Sequence, residues 1–150
     1  YKIASIYIKN KKYAECINYL EKIINNKNLS MREDLMCFSR LLCLIAHYEL
    51  GKDFYIENQI KNTYKFLIKM NDLHEVQKEI IRFMKNLNSI YPSDIKKEFI
   101  KMKERFVELD KNTYEKRAFL YLDIISWLES KIENRKISDI IKEKAKINNR

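Results

Sequence analysis

Ser30-Met31-Arg32-Glu33 is a helix-start signature that occurs in three versions along this chain. A short polar side chain can accept hydrogen bonds from the first free N–H groups of a helix, while a glutamate three residues later reaches back to the capping residue. The pattern returns after 42 residues at 72–75 and after a further 40 at 112–115, with Asp72 and Asn112 as predicted caps. Each start leaves room for two helices of roughly five turns, since a helix rises ~1.5 Å per residue. The spacing therefore predicts a repeated helical hairpin.

Gly51 and Pro92 are the only glycine and the only proline among 150 residues, and each falls where the helical periodicity breaks. A β-sandwich or β-barrel needs many more turn residues than this. With 46% hydrophobic and 34% charged residues, the composition is that of a globular chain. We therefore predict a single all-α domain, a solenoid of four antiparallel helical hairpins over 1–28, 30–71, 72–111 and 112–148.

Each predicted helix carries one apolar stripe at intervals of three and four residues. The most apolar helix is predicted over 35–48, with Gly51 as its left-handed cap. The next helix is predicted to be capped by Asp53 and to bury the stripe Ile56, Ile60, Tyr64, Leu67 and Ile68. The fourth hairpin is predicted to open with one long helix that buries Tyr114, Ala118, Tyr121, Ile125, Leu128 and Ile132. A short, thinly apolar helix from Ser138 is predicted to cap the solenoid.

The first 28 residues carry apolar, small and aromatic side chains in an order known from one repeat family. The first predicted helix has Ile3, Ala4 and Tyr7, and the second has Tyr13, Cys16 and Leu20 at the matching spacing. This stretch resembles a tetratricopeptide repeat (TPR). Three positions depart from the family pattern: Ile23 replaces an alanine, Lys11 a turn glycine, and Asn28 lies near the usual closing proline.

The later hairpins run to about 40 residues instead of 34, so the whole chain resembles a TPR-like α-solenoid, as in bacterial TPR-containing proteins. The resemblance implies a right-handed α–α superhelix that acts, without catalysis, as a scaffold for a protein or peptide partner. In that family the ligand usually lies on the concave surface made by the first helix of each hairpin. Projecting this pattern onto the chain nominates five partner-binding residues: Lys2, Ser5, Lys9, Arg40 and Tyr48.

No catalytic, cofactor or metal site is predicted. His47 and His74 are the only histidines, and neither belongs to an HExxH motif or an i, i+4 ligand pair. A single glycine excludes a glycine-rich phosphate loop. Carboxylates in the second half of the chain mostly alternate with lysine or arginine, as exposed helical ion pairs do. An enzyme would need a polar pocket with shifted pKa values and residues from outside this chain.

The net charge of +9 supports one alternative function, nucleic-acid binding by the basic C-terminal half. The excess is spread along the chain, at +3 for residues 1–50, +2 for 51–100 and +4 for 101–150. There are 23 lysines and 7 arginines, whereas arginine is the usual reader of phosphates and bases. A patch would involve Lys96, Lys97, Lys101, Lys103, Arg105 and residues 135–150. We therefore favour a protein partner over nucleic acid.

Three cysteines, Cys16, Cys37 and Cys43, lie on apolar helical faces without metal-ligand spacing, which favours buried thiols in a reducing, cytoplasmic compartment. No apolar run is long enough to span a membrane, and we expect no membrane partner. The chain begins at Tyr1 without an initiator methionine, and we expect it to be the C-terminal part of a longer array. A further alternative is a structural spacer that forms a homodimer through the apolar residues 41–45.

Overall fold

The computed structural model describes residues 1–26, 33–51, 53–71, 73–121 and 123–148. In these ranges every regular element is a helix and no strand occurs, which confirms the predicted all-α class. The chain divides into two compact units, Tyr1–Leu87 and Asn88–Arg150. The two helices of the predicted third hairpin therefore belong to different units, and the single four-hairpin domain stays a prediction.

The unit Tyr1–Leu87 is built from consecutive helices that pack against their neighbours in sequence. Its helices are α1 (Lys2–Lys9), α2 (Tyr13–Ile24), α3 (Glu33–Glu49), α4 (Asp53–Lys69) and α5 (Glu75–Asn86). α3 also contacts α5, so three helices surround it. Almost every side chain between Cys37 and His47 is consequently buried. The core of this unit therefore lies along α3, the helix with the most apolar sequence.

Left-handed residues end several helices of this unit. Gly51 follows α3 with φ +67°, which confirms it as the predicted left-handed cap. A Cβ at this position would meet nothing within 4 Å, so the backbone conformation and not a lack of space explains the glycine. Asn71 follows α4 with φ +51°, and Lys11, in the turn between α1 and α2, has φ +60°. Glycine adopts this left-handed conformation without strain, which explains why the repeat pattern favours glycine at the position of Lys11.

α4 is less deeply buried than its sequence predicts. Ile56, Ile60 and Leu67 are at most 5% exposed, but Tyr64 is 37% and Ile68 is 53% exposed, which makes the prediction for these two residues wrong. The buried stripe that faces α3 and α5 is narrower than the apolar stripe of the sequence, so the last two side chains lie at its edge. α4 begins at Asp53, the residue that the sequence predicted as its cap.

The start of α5 lies later than predicted. Asp72 is outside the described residues, as are Ser30 and Asn28, and the helix begins at Glu75 with His74 as its N-cap residue. The His74 backbone N–H donates to Gln77 Oε1 at 2.9 Å, so glutamine fills the role expected of glutamate. Glu75 instead pairs with Lys78 at 2.7 Å.

The unit Asn88–Arg150 contains α6 (Ile95–Asp110), α7 (Lys116–Tyr121), α8 (Ile124–Glu133) and α9 (Ile137–Asn148), and a short 3₁₀ helix over Leu87–Ser89 precedes them. α6 packs against α7 and α8, and α9 packs against α8. Trp127 is 4% exposed and meets Phe99 edge-on with ring centroids 5.6 Å apart, so it belongs to the core of this unit. Phe106, which has no exposed surface, meets Phe119 at 6.2 Å.

The predicted long helix of the fourth hairpin is wrong, because two helices, α7 and α8, occupy this part of the chain. Residues 112–115 form a turn in which Asn112 Oδ1 accepts the Tyr114 backbone N–H at 2.9 Å. Asn112 thus caps a turn instead of a helix, and Tyr114 is 84% exposed rather than buried. α8 is followed by Asn134, which is left-handed with φ +53°.

Candidate functional site

Three of the predicted partner-binding residues lie on α1. Lys2, Ser5 and Lys9 are separated by three and four positions, which places them along one side of the helix. Lys2 is exposed, whereas Ser5 and Lys9 are half-buried. The Ser5 hydroxyl donates to the Tyr1 carbonyl at 3.3 Å, a long bond within the first turn. The structure therefore brings these three residues onto one side of α1, and their binding role stays a prediction.

Arg40 is half-buried and its guanidinium lies over the ring of Phe66 on α4, 4.2 Å from the centroid. This is cation–π geometry. Burial lowers the pKa of Arg40, and its Nε atom has no hydrogen-bond partner. The side chain therefore connects α3 to α4 through its ring contact.

Tyr48 also packs inside the first unit. Its ring meets Phe83 of α5 edge-on, with centroids 6.1 Å apart. The contact joins α3 to α5, and Tyr48 keeps only part of its surface exposed. The contacts of Arg40 and Tyr48 are thus with neighbouring helices, and a role for either in partner binding stays a prediction.

Four side chains form a stack across the first hairpin that was not predicted from the sequence. Tyr7 of α1 and Tyr19 of α2 lie face to face, with ring centroids 5.4 Å apart and an interplanar angle of 22°. Lys12 Nζ lies 6.0 Å from the Tyr7 centroid, and Lys22 Nζ lies 5.2 Å from the Tyr19 centroid. We call Lys12, Tyr7, Tyr19 and Lys22 the tyrosine–lysine stack.

Local sequence explains why the two helices come close enough for this stack. Ala4, Cys16 and Leu20 have no exposed surface, so small side chains at the first two positions let the helices approach closely. Lys11 reverses the chain with a left-handed conformation, and the Lys12 backbone N–H then donates to the Tyr7 carbonyl at 2.9 Å. This turn positions Lys12 beside the Tyr7 ring.

The surface around the stack is apolar and basic. Ile3 is 53%, Ile6 is 59% and Tyr19 is 38% exposed, although isoleucine is among the most often buried residue types. Residues 1–26 contain five lysines and two glutamates. The neighbouring Tyr19 raises the pKa of the Tyr7 hydroxyl above its usual range.

Part of this surface was within reach of sequence reasoning. Ile3 and Tyr7 occupy large-residue positions of the TPR pattern, where the residues predict packing and not a partner surface. Tyr19 and Lys22 lie off the apolar stripe of α2, and this position was the sequence signal for an exposed surface. The contact between Tyr7 and Tyr19 depends on the geometry of the α1–α2 turn, which periodicity does not encode.

A second candidate is a pocket of about 380 Å³ within the unit Asn88–Arg150. It is lined by Asp110, Phe119, Asp123, Ile125, Ser126, Ile141, Lys144 and Ala145. Lys144 Nζ donates to Ser126 Oγ at 3.0 Å, so two of the lining side chains are hydrogen-bonded to each other.

Glu129 forms ion pairs with two lysines. Lys144 Nζ lies 2.6 Å from Glu129 Oε2, and Lys103 Nζ lies 3.1 Å from Glu129 Oε1. Burial raises the pKa of Glu129, but the hydrogen bonds from the two lysines lower it by more, so that its net shift is downward. The ion pairs of Glu129 therefore connect α6, α8 and α9.

The histidines and cysteines of the described residues form no metal site or reactive thiol. His47 is buried in α3, whereas His74 caps α5. Within the described ranges, no group of three or more His, Cys, Asp or Glu side chains is placed to hold a metal ion. All three cysteines are free and buried, and burial raises the pKa of Cys16 and of Cys43 to about 12. Both thiols are therefore protonated and unreactive at neutral pH.

In the part of the chain that the structure describes, no helix is both long and apolar enough to cross a membrane. Comparisons with protein-family models, with curated proteins and with solved structures find no match to this chain.

Proposed function

We propose that this chain is a non-catalytic helical-repeat module that binds a protein partner, with its first hairpin as the contact surface. The proposal includes a right-handed, TPR-like superhelical arrangement of the hairpins and a reducing, cytoplasmic setting. Support for the repeat comes from the unit Tyr1–Leu87, where contacts run mainly between successive helices. Such nearest-neighbour packing is typical of solenoids. Support for the setting comes from three buried, free thiols.

The observation that carries the proposal is the exposed surface of α1 and α2. Ile3 and Ile6 are each more than half exposed, and Tyr19 lies at the edge of the same hairpin. Exposed apolar and aromatic side chains with a basic border are characteristic of protein interfaces, whose cores are enriched in aromatic residues. Lys2 and Lys9, two of the residues nominated by the family pattern, lie on the same helix.

Nucleic-acid binding by the C-terminal half is less well supported, because many of its cations already have carboxylate partners. Lys97 pairs with Asp94, Lys101 with Glu98 and Lys111 with Glu108, each at 2.6–2.9 Å. Arg135 pairs with both Glu133 and Glu143. Paired cations release fewer counterions on contact with phosphates.

A dimer through residues 41–45 is less well supported, because none of these five side chains is more than 6% exposed. They pack within the unit Tyr1–Leu87 and offer no surface to a second copy. A homodimer by another surface is an outcome that the following experiment detects.

Photo-cross-linking in native lysate tests the proposal. Ile6 is replaced by p-benzoylphenylalanine, and the same replacement at exposed Lys65 on α4 is the matched control. We expect Ile6 to give a discrete protein adduct that survives nuclease and is absent from the Lys65 sample. Equal adduct patterns from both positions, or capture of nucleic acid alone, would contradict the proposal. An adduct with the mass of two copies of the chain would assign this surface to self-association.

A further inference from the structure

We infer that the tyrosine–lysine stack recognises an acidic segment of the partner, with carboxylates at Lys12 and Lys22 and apolar side chains on Ile3 and Ile6. The inference rests on the proposed protein-binding function and adds the chemical class of the partner. It uses only residues of α1, α2 and the turn between them, and the structure describes each of these residues.

The order of groups in the stack decides what it can offer to a ligand. Tyr7 and Tyr19 are stacked on each other, and each ring has one lysine ammonium near it, Lys12 at Tyr7 and Lys22 at Tyr19. Both lysines are exposed. The stack therefore presents two ammonium groups beside two phenol rings. Ammonium groups donate hydrogen bonds to carboxylates.

The cation–π contacts also pre-position the two lysines. A lysine side chain in solution loses rotamer freedom when it is fixed. Holding Lys12 and Lys22 over rings before binding reduces this cost, which is the general advantage of pre-organised binding groups. The stack is thus better suited to a carboxylate pair than two unrestrained surface lysines are.

The exposed Ile3 and Ile6 indicate that the ligand carries apolar side chains as well as carboxylates. Ile3 lies one turn before Tyr7 on α1, and Ile6 lies three residues after Ile3, so all three side chains cover adjacent parts of the helix surface. Burial of apolar area yields about 25 cal/mol per Å², and a purely acidic ligand would leave this area in water. We therefore assign an acidic segment that also carries apolar side chains.

The charge around the stack is complementary to such a segment, with one exception. Five lysines and two glutamates in residues 1–26 give a net charge of +3. Glu15 is exposed on α2, one turn before Tyr19, and its charge is close enough to act on the Tyr7 hydroxyl. Glu15 should therefore weaken the binding of carboxylates, and its removal is a direct test.

The same geometry disfavours single-stranded nucleic acid, which binds basic surfaces through bases stacked on open aromatic faces. In the stack, the two rings cover part of each other and each has a lysine ammonium near it, which leaves less open ring surface for a base. The exposed isoleucines have no role toward phosphates.

Selection from a phage library of random peptides tests the inference with the whole chain as bait. We expect the recovered peptides to combine Asp or Glu with apolar residues. Binding of synthetic copies is then measured by fluorescence anisotropy to the wild-type chain, the double variant Lys12→Glu/Lys22→Glu, the variant Glu15→Gln and the control Lys65→Glu. Circular dichroism checks that each variant keeps its helix content, as expected for exposed sites.

The expected result is that the double variant binds roughly tenfold or more weakly. Glu15→Gln should bind roughly twofold to fivefold more tightly, and Lys65→Glu should match the wild type. Peptides without excess acidic residues, or acidic peptides that bind the double variant as tightly as the wild type, would overturn the inference while leaving the protein-binding function intact. Failure to enrich any peptide, together with binding of an oligothymidine probe, would overturn both.

Discussion

The backbone of a single residue, Lys11, is strained. Its φ of +60° is the left-handed conformation, which costs an L-amino acid with a side chain roughly 1–2 kcal/mol. Glycine adopts this conformation without that cost but loses more backbone entropy on folding. The turn that positions Lys12 over Tyr7 is therefore formed against local preference, and helix packing must offset its cost.

Lys11→Gly should consequently stabilise the chain. We expect the free energy of unfolding to rise by about 0.5–1 kcal/mol, the steric gain less the entropy of the added glycine. Urea denaturation followed by circular dichroism measures the change. The same substitution at Lys61, exposed in the interior of α4, should instead destabilise by about 0.5–1 kcal/mol. Equal effects at the two positions would show that the conformation of Lys11 is not strained.

Glu129 is the other residue with a measurable energetic role. Its side chain is 13% exposed between Lys103 and Lys144, so its removal leaves two partly buried cations without their carboxylate. Glu129→Gln should lower the free energy of unfolding by about 1–2 kcal/mol. Glu108→Gln is the control, because its pair with Lys111 is about two-thirds exposed on both sides and should contribute almost nothing.

The contribution of Glu129 should depend on pH in a defined direction. Its pKa is lower in the folded chain than the ordinary value of 4.5. The stabilisation is therefore complete above pH 4.5 and is lost as pH falls through the lower folded-state pKa. Denaturation curves at pH 7 and in this acidic range should differ less for Glu129→Gln than for the wild type. A variant as acid-sensitive as the wild type would show that other carboxylates dominate.

At the scale of elements, small residues at the α1–α2 contact hold the first hairpin together. Ala4 has no exposed surface, whereas Ala14 on α2 is exposed. Ala4→Leu should overpack the contact and cost about 1–3 kcal/mol, measured by thermal and urea unfolding. Ala14→Leu should leave stability nearly unchanged. If both variants are neutral, the helices do not approach as closely as the structure shows.

The elements also show how far the sequence could predict the fold. α3 and α6 were predictable because their apolar stripes are long and bounded by Gly51 and Pro92. The break between α7 and α8 was missed because no glycine or proline marks it, and the signal there is Asp123, a favoured N-cap type, before Ile124. The proposed contact residues were harder to predict, since the tyrosine–lysine stack depends on two helices meeting across one turn.

For the whole molecule, we expect the basic charge to contribute little to phosphate recognition. A net charge of +9 includes many lysines already paired along helices, as at Lys97 and Lys101. We expect an oligothymidine and a short DNA duplex to bind no more tightly than about 100 µM at physiological salt, measured by anisotropy. Micromolar binding that weakens steeply as salt is raised would contradict this.

Hydrogen–deuterium exchange of the chain with its captured partner tests whether the first hairpin is the contact surface, because it reports every helix at once. We expect slower exchange of amides in α1 and α2 on addition of the partner, and loss of this protection in Lys12→Glu/Lys22→Glu. We expect little change in α6–α9. Protection confined to α6–α9, or protection of α1 and α2 that the double variant retains, would contradict the claim that the first hairpin is the contact surface.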